Sequence, residues 1–299
     1  MMSLKRPILA LLAAASLFAV FGCNVDRELI ATRDPSEGEA REEAQEQAAF
    51  FQIEGGPELE AAAREYQEYV DAQSALLVDR TKRFAAAVEA GDVEEAKRLY
   101  ASSREPWERI EPVAEKFGNL DPEVDAREGD VPEAQWTGFH RIEKSLWTEN
   151  TTEGMDEYAT ELVSDVERLE REVDGIELQP SDPVFGAVEL LNEVSATKIT
   201  GEEERYSHTD LHDIAANVEG AEVAFETVKP VVSRRDPELV AEIEGAFGDV
   251  HAEIEPYSRG EGAWASYEEL DESDRRSLSQ KIDALAEPLS LVGRVLTGS

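Results

Sequence analysis

From Ala62 onward, apolar residues recur at separations of three and four, and no run of period-two alternation replaces them. Such a stripe is one face of an amphipathic helix, and each face needs another helix to cover it. The first stripe runs through Ala62, Tyr66, Tyr69, Val70, Gln73, Leu76, Leu77, Phe84 and Val88. Gly91-Asp92 is read as its stop and as the cap of the next helix. The second stripe passes Ala96, Leu99 and Tyr100 toward Ile110, where Pro106 and Pro112 should bend or interrupt it. A third spans Phe139 to Trp147, and a fourth carries Met155, Tyr158, Leu162, Val166, Leu169 and Val173. Gln179-Pro-Ser-Asp-Pro183 then breaks the chain, with Asp182 placed to cap the next helix. Four further helices are expected around Val188 to Val194, Leu211 to Val228, Leu239 to Ile254 and Leu278 to Val295. Asp236-Pro237 marks a helix start, and Ser258 to Ala263, with two glycines, reads as a loop. The expected fold is all-α, two packed four-helix bundles with halves of about 57–178 and 183–299 and few or no strands.

The N-terminus reads as an export signal over residues 1–22: Lys5 and Arg6, an apolar run from Ile8 to Phe21, then Gly22 directly before Cys23. Cys23 is the only cysteine, and its position resembles a bacterial lipobox whose cysteine is lipidated and becomes the new N-terminus. No other cysteine remains for a disulfide, a thiolate nucleophile or a sulfur-rich metal site. Residues 23–56 are rich in Glu, Ala, Gln and Arg, with no large apolar residue between Ala31 and Ala49, which reads as an acidic tether. The helical domain then occupies 57–299, and the expected location is outside the cytoplasm, held to the cell membrane by lipid and facing the periplasm or the exterior.

The formal net charge is -38, a field that repels nucleic acid and attracts cations. The acids are spread over every segment, and the chain holds only 8 Lys against 21 Arg, which together read as a surface adapted to high salt, as in a halophile. Raising potassium chloride toward molar levels is therefore expected to raise the thermal midpoint, because screening relieves self-repulsion. A flat or falling midpoint would remove the salt-adaptation reading.

Within the third stripe, His140 and Glu143 stand three residues apart. That spacing brings an imidazole and a carboxylate to within roughly 60° on one helix face, where they can hold one ion or simply bond to each other. Glu108 and Glu111 repeat the spacing on the preceding helix, and Asp125 follows in the loop. One nitrogen with several oxygens makes a hard, anionic site suited to ferrous or ferric iron, with zinc or copper as lesser candidates. Glu203, in Gly201-Glu-Glu-Glu-Arg-Tyr-Ser-His-Thr-Asp210, could reach the same cleft from the second bundle. In that run helix capping by Ser207 or Thr209 accounts for His208 and Asp210 as well as metal binding does. Asn217 and Gly220 are read as close helix contacts, and His251 as a surface residue.

Three separated motifs carry a resemblance over most of 58–297: Arg104 to Arg127 with its Ile-Glu-Pro, Gly138-Phe-His-Arg-Ile-Glu143, and Lys198 to Asp210 with Asn217-Val-Glu-Gly220. They resemble the imelysin-like EfeO/EfeM family of extracytoplasmic iron-uptake proteins. The resemblance implies a helical imelysin fold and metal ligands in Ile-Glu-Pro and His-x-x-Glu. It also implies delivery of iron to a membrane permease of the EfeUOB type, beside a haem-peroxidase-like partner of the same system. Some members carry a cupredoxin domain before the helical one, for which no strand pattern or paired His is found here.

Two rivals stand beside this reading. A metal-dependent peptidase of the imelysin class would need a zinc-protease helix, yet Arg141 follows His140 and Lys144 takes the place of a second histidine, so His-Glu-x-x-His is missing and no enzyme is expected. An acidic adhesion or scaffold protein would explain the charge but not the pairing of His140 with Glu143.

Overall fold

A computed structural model describes residues 56–297 except 119 and 261; the expected leader, Cys23 and the tether up to residue 55 lie outside this range. Helix α1 (Pro57–Glu89) starts after extended Gly56 with proline in its first turn, and buries Ala62, Tyr66, Val70, Leu77, Phe84 and Val88 along the expected stripe. Its stop is the one anticipated: Gly91 has φ +73°, and Asp92 accepts a hydrogen bond from the Glu95 amide to cap α2 (Val93–Glu108). Pro106 lies inside the last turn of α2, and Pro112 opens the short α3 (Glu111–Ala114). A 3-10 turn leads to α4 (Leu120–Asp125), so Asp125, expected in a loop, closes a short helix instead.

Helix α5 (Gly138–Lys144) carries the His-x-x-Glu pair and is extended by a π turn, Ser145–Glu149. Helices α6 (Asp156–Asp174) and α7 (Asp182–Ala196) follow, then a 3-10 turn (Lys198–Thr200) and the long α8 (Asp210–Arg235). Helix α9 (Pro237–Ile254) is capped by Asp236 through the Leu239 amide, as its Asp-Pro start suggested. The last apolar stripe is broken at Leu291 into α10 (Glu272–Ser290) and α11 (Val292–Thr297).

Helix α1 packs on α2 and α6, while α8 packs on α7 and α9, and α10 closes against α7 and α9. Helix α8 also meets α1 and α2, which joins the two groups along one apolar core. Most of the described fold is helical, as the periodicity requires.

Three further local expectations are corrected. The span Ser258 to Ala263 is not a plain loop: β1 (Ser258–Gly260) and β2 (Ala263–Trp264) form a small antiparallel hairpin. Neither Ser207 nor Thr209 caps α8; their hydroxyls face each other at 3.0 Å, and Ser207 donates to Glu204. Asp182 is the first residue of α7, not its cap, and accepts from the Gln179 amide to close the turn before it.

Candidate metal centre

The centre forms where five short pieces of chain converge, and one glycine sets their spacing. Gly138 opens α5 at φ +80°, and a Cβ there would stand 2.2 Å from the carbonyl oxygen of Val124. Only a residue without a side chain lets the start of α5 press on the end of α4. That contact brings His140 beside Asp125. On the opposite side, the chain between Lys198 and α8 folds inward and delivers Glu203 and Glu204, which are 4% and 0% exposed.

The imidazole of His140 is buried and has two different faces. Its Nδ1 lies 3.1 Å from Glu143 Oε2, and 3.4 Å from the Tyr100 hydroxyl. Glu143 is held in turn, because its Oε1 accepts from the amides of Tyr206 and Ser207 at 3.0 and 2.8 Å. Nε2 points the other way, 3.5 Å from Asp125 Oδ1 and 3.9 Å from Glu203 Oε1, and has no hydrogen-bond partner among the described residues. Two groups of side chains could each hold an ion there: Asp125, His140 and Glu203, or His140, Glu143 and Glu204.

Seven carboxylates are buried around this point: Glu108, Glu111, Asp125, Glu143, Glu203, Glu204 and Asp213. Against them, among the described residues, stand two buried permanent cations, Arg104 and Lys198. Arg104 reaches Glu108 and Glu204 at 2.5 Å each, is bonded to Asp125, and lies 3.5 Å from Asp213. Lys198 Nζ lies 2.7 Å from Glu108 and 3.2 Å from Glu111. Acids outnumber bases, and burial in a low dielectric penalises each unpaired charge. The consequence is visible in the acid strengths. Burial pushes Glu111 and Asp213 well above the usual carboxylate range, and Glu204 up to about 8. Burial and the Arg104 charge work against protonated His140, but the contacts to Asp125 and Glu143 outweigh them and raise it to about 10. Protons thus stand in for missing positive charge, and a metal ion could replace them.

The six residues named from sequence as metal ligands meet here: Glu108 ends α2, Glu111 starts α3, Asp125 ends α4, His140 and Glu143 lie on α5, and Glu203 precedes α8. Asp210 is buried but turned to the Glu204 amide, while His208 is half-exposed beside Glu268. Asn217 and Gly220 make close helix contacts: the amide of Asn217 donates to the Glu108 carbonyl, and a Cβ on Gly220 would meet the Arg109 carbonyl at 2.5 Å. His251 lies near the surface against Glu222. Sequence reading missed Arg104, Lys198, Glu204 and Asp213 as members of the centre. For Arg104 a signal existed, since it continues the buried positions Ala96 and Tyr100 at a spacing of four.

Residues 62–292 match the family description of the peptidase M75 group, imelysin. The chain belongs to the imelysin family. Among curated relatives, the iron uptake system component EfeO of Escherichia coli strain K12 is 42% identical over 263 residues, covering 87% of this chain and 68% of the relative. The proteins of the same name from Shigella flexneri and Shigella sonnei match to the same extent. At α5 of this imelysin chain, Arg141 lies over the rings of Trp136 and Tyr158, and Lys144 pairs with Glu128. Among the described residues no helix is long and apolar enough to cross a membrane.

Proposed function

We propose that this chain is a non-enzymatic iron-binding component of an uptake system, which captures iron outside the cytoplasmic membrane and passes it to a permease. The observation that carries the reading is His140 Nε2, buried, without a hydrogen-bond partner among the described residues, and facing Asp125 and Glu203. A buried imidazole nitrogen facing two carboxylates, in a pocket short of positive charge, is the arrangement a hard divalent or trivalent cation completes once it displaces the imidazole proton. Iron is favoured among such cations by the similarity to EfeO.

On this reading Asp125, His140 and Glu203 are the leading ligands, with Glu108 and Glu111 behind them. Glu143 holds the Nδ1 hydrogen and so leaves Nε2 as the nitrogen that meets the ion, and the Tyr206 and Ser207 amides hold Glu143. Because metal-free His140 keeps its proton up to about pH 10, iron must displace it. Affinity should then rise with pH across the neutral range and fall in acid. Metal analysis of the purified chain, with competition among iron, zinc and copper, tests the assignment. A chain that takes up zinc or copper but binds neither ferrous nor ferric iron would sink it.

The anchor and the location rest on the sequence around Cys23. Cys23→Ser should move the protein from the membrane fraction to the soluble one, since acyl chains are what hold such a domain to a bilayer. Retention of the variant at the membrane would end the lipoprotein proposal.

A further inference from the structure

The buried ammonium of Lys198 is surrounded as a metal ion would be. Its Nζ lies 2.7 Å from Glu108 Oε2, 3.2 Å from Glu111 Oε2 and 3.5 Å from Glu203 Oε1, and the residue is fully buried. Glu203 Oε1 is also the oxygen that faces His140 Nε2, at 3.9 Å. One carboxylate oxygen therefore serves two neighbouring cation positions. Centres that hold two metal ions about 3.5–4 Å apart share carboxylates in this manner. Glu111 Oε2 is buried, lies 3.2 Å from the ammonium, and has no hydrogen-bond partner among the described residues, so this second position holds a buried oxygen that no donor satisfies.

We propose that the pocket is a two-cation carboxylate site in which Lys198 is a tethered cation filling the second position, so that each chain takes up a single metal ion. This rests on the iron-binding reading above. A lysine in this role neutralises part of the cluster while the site is empty. It also cannot leave with the cargo, which limits the charge that must be exchanged to one ion. Lys198 is thus a stoichiometry-determining residue and not a ligand.

The test uses Mn(II), a hard divalent probe for oxygen-rich sites, titrated by calorimetry into the native chain and into Lys198→Ala. The same samples are examined by electron paramagnetic resonance, which distinguishes an isolated Mn(II) from an exchange-coupled pair. The native chain should bind one ion, with the spectrum of an isolated centre. Lys198→Ala should bind two, with a coupled spectrum, and Lys198→Ala/Glu111→Gln should return to one. The single variant leaves carboxylates uncompensated, so its thermal midpoint should rise with Mn(II) more than that of the native chain. Two ions in the native chain, or one in Lys198→Ala, would overturn the inference. Tighter binding of a single ion by Lys198→Ala would also overturn it, since lysine would then be competing for one position. A variant that stays unfolded in millimolar Mn(II) counts against it too, because an ion in the vacated place should restore the lost charge. A native chain that binds no ion defeats the iron-binding reading itself, an outcome distinct from the others.

Discussion

Arg104→Met is expected to destabilise the protein by about 3–5 kcal/mol, the usual effect of removing one partner from a buried ionic network. For a domain of this size that lowers the thermal midpoint by roughly 6–20 °C. The cause is specific: without the guanidinium, Asp125, Glu108, Glu204 and Asp213 face one another across a buried space with Lys198 as the remaining permanent cation. The direction with pH follows from Glu204, which burial raises from 4.5 to about 8. A carboxyl that holds its proton more tightly when folded contributes stability fully below pH 4.5, and that contribution is lost as pH rises through 8. Removing Arg104, whose charge lowers this value, widens that window upward. The variant should therefore melt closest to the native chain in mild acid and furthest from it at alkaline pH. Thermal melts from pH 5 to 9 check this, and a midpoint within 2 °C of native throughout would contradict the electrostatic role of Arg104.

Gly138→Ala should destabilise by about 2–6 kcal/mol, combining the strain of a side chain at positive φ with overpacking, each about 1–3 kcal/mol. The new Cβ would lie 2.2 Å from the Val124 carbonyl oxygen, so α5 must move off α4. His140 moves with it, and iron binding should weaken together with stability. Gly129→Ala is the matched control: φ is +100°, but nothing lies within 4 Å of its Cβ. Chemical denaturation of both variants separates strain from collision. Equal losses in the two would show that the close approach of α5 to α4 is unimportant.

The helices were legible because each buries one stripe, and spacing of three and four is all that a stripe requires. Their ends were legible where a side chain caps them, as at Asp92 and Asp236. They were not where the cap belongs to something else: Thr209 stands before α8, but its hydroxyl is engaged with Ser207. The hairpin at Ser258–Trp264 is too short to show an alternating pattern, so its glycines spoke only for a turn.

Within the centre, His140 and Glu143 were readable because helical geometry alone makes them neighbours. From the run Glu202-Glu203-Glu204 the sequence suggested Glu203 but not Glu204, since three identical residues give little clue to which turn inward. The fold decides: the side chain of Glu202 is 67% exposed, while those of Glu203 and Glu204 are 4% and 0%. Arg104 and Lys198 escaped notice for a different reason. A lone Arg or Lys is ordinarily solvated, and only the surrounding acids, brought in from distant segments, make burying one tolerable.

Calorimetric titration of iron into the native chain and into His140→Ala, each paired with a thermal melt, tests the central claim most directly. The account predicts that the variant binds iron at least about tenfold more weakly, or roughly 1.4 kcal/mol, while it still melts cooperatively as a folded protein. Equal affinity in the native chain and a folded His140→Ala would contradict the assignment of His140 Nε2 as the nitrogen that holds the ion.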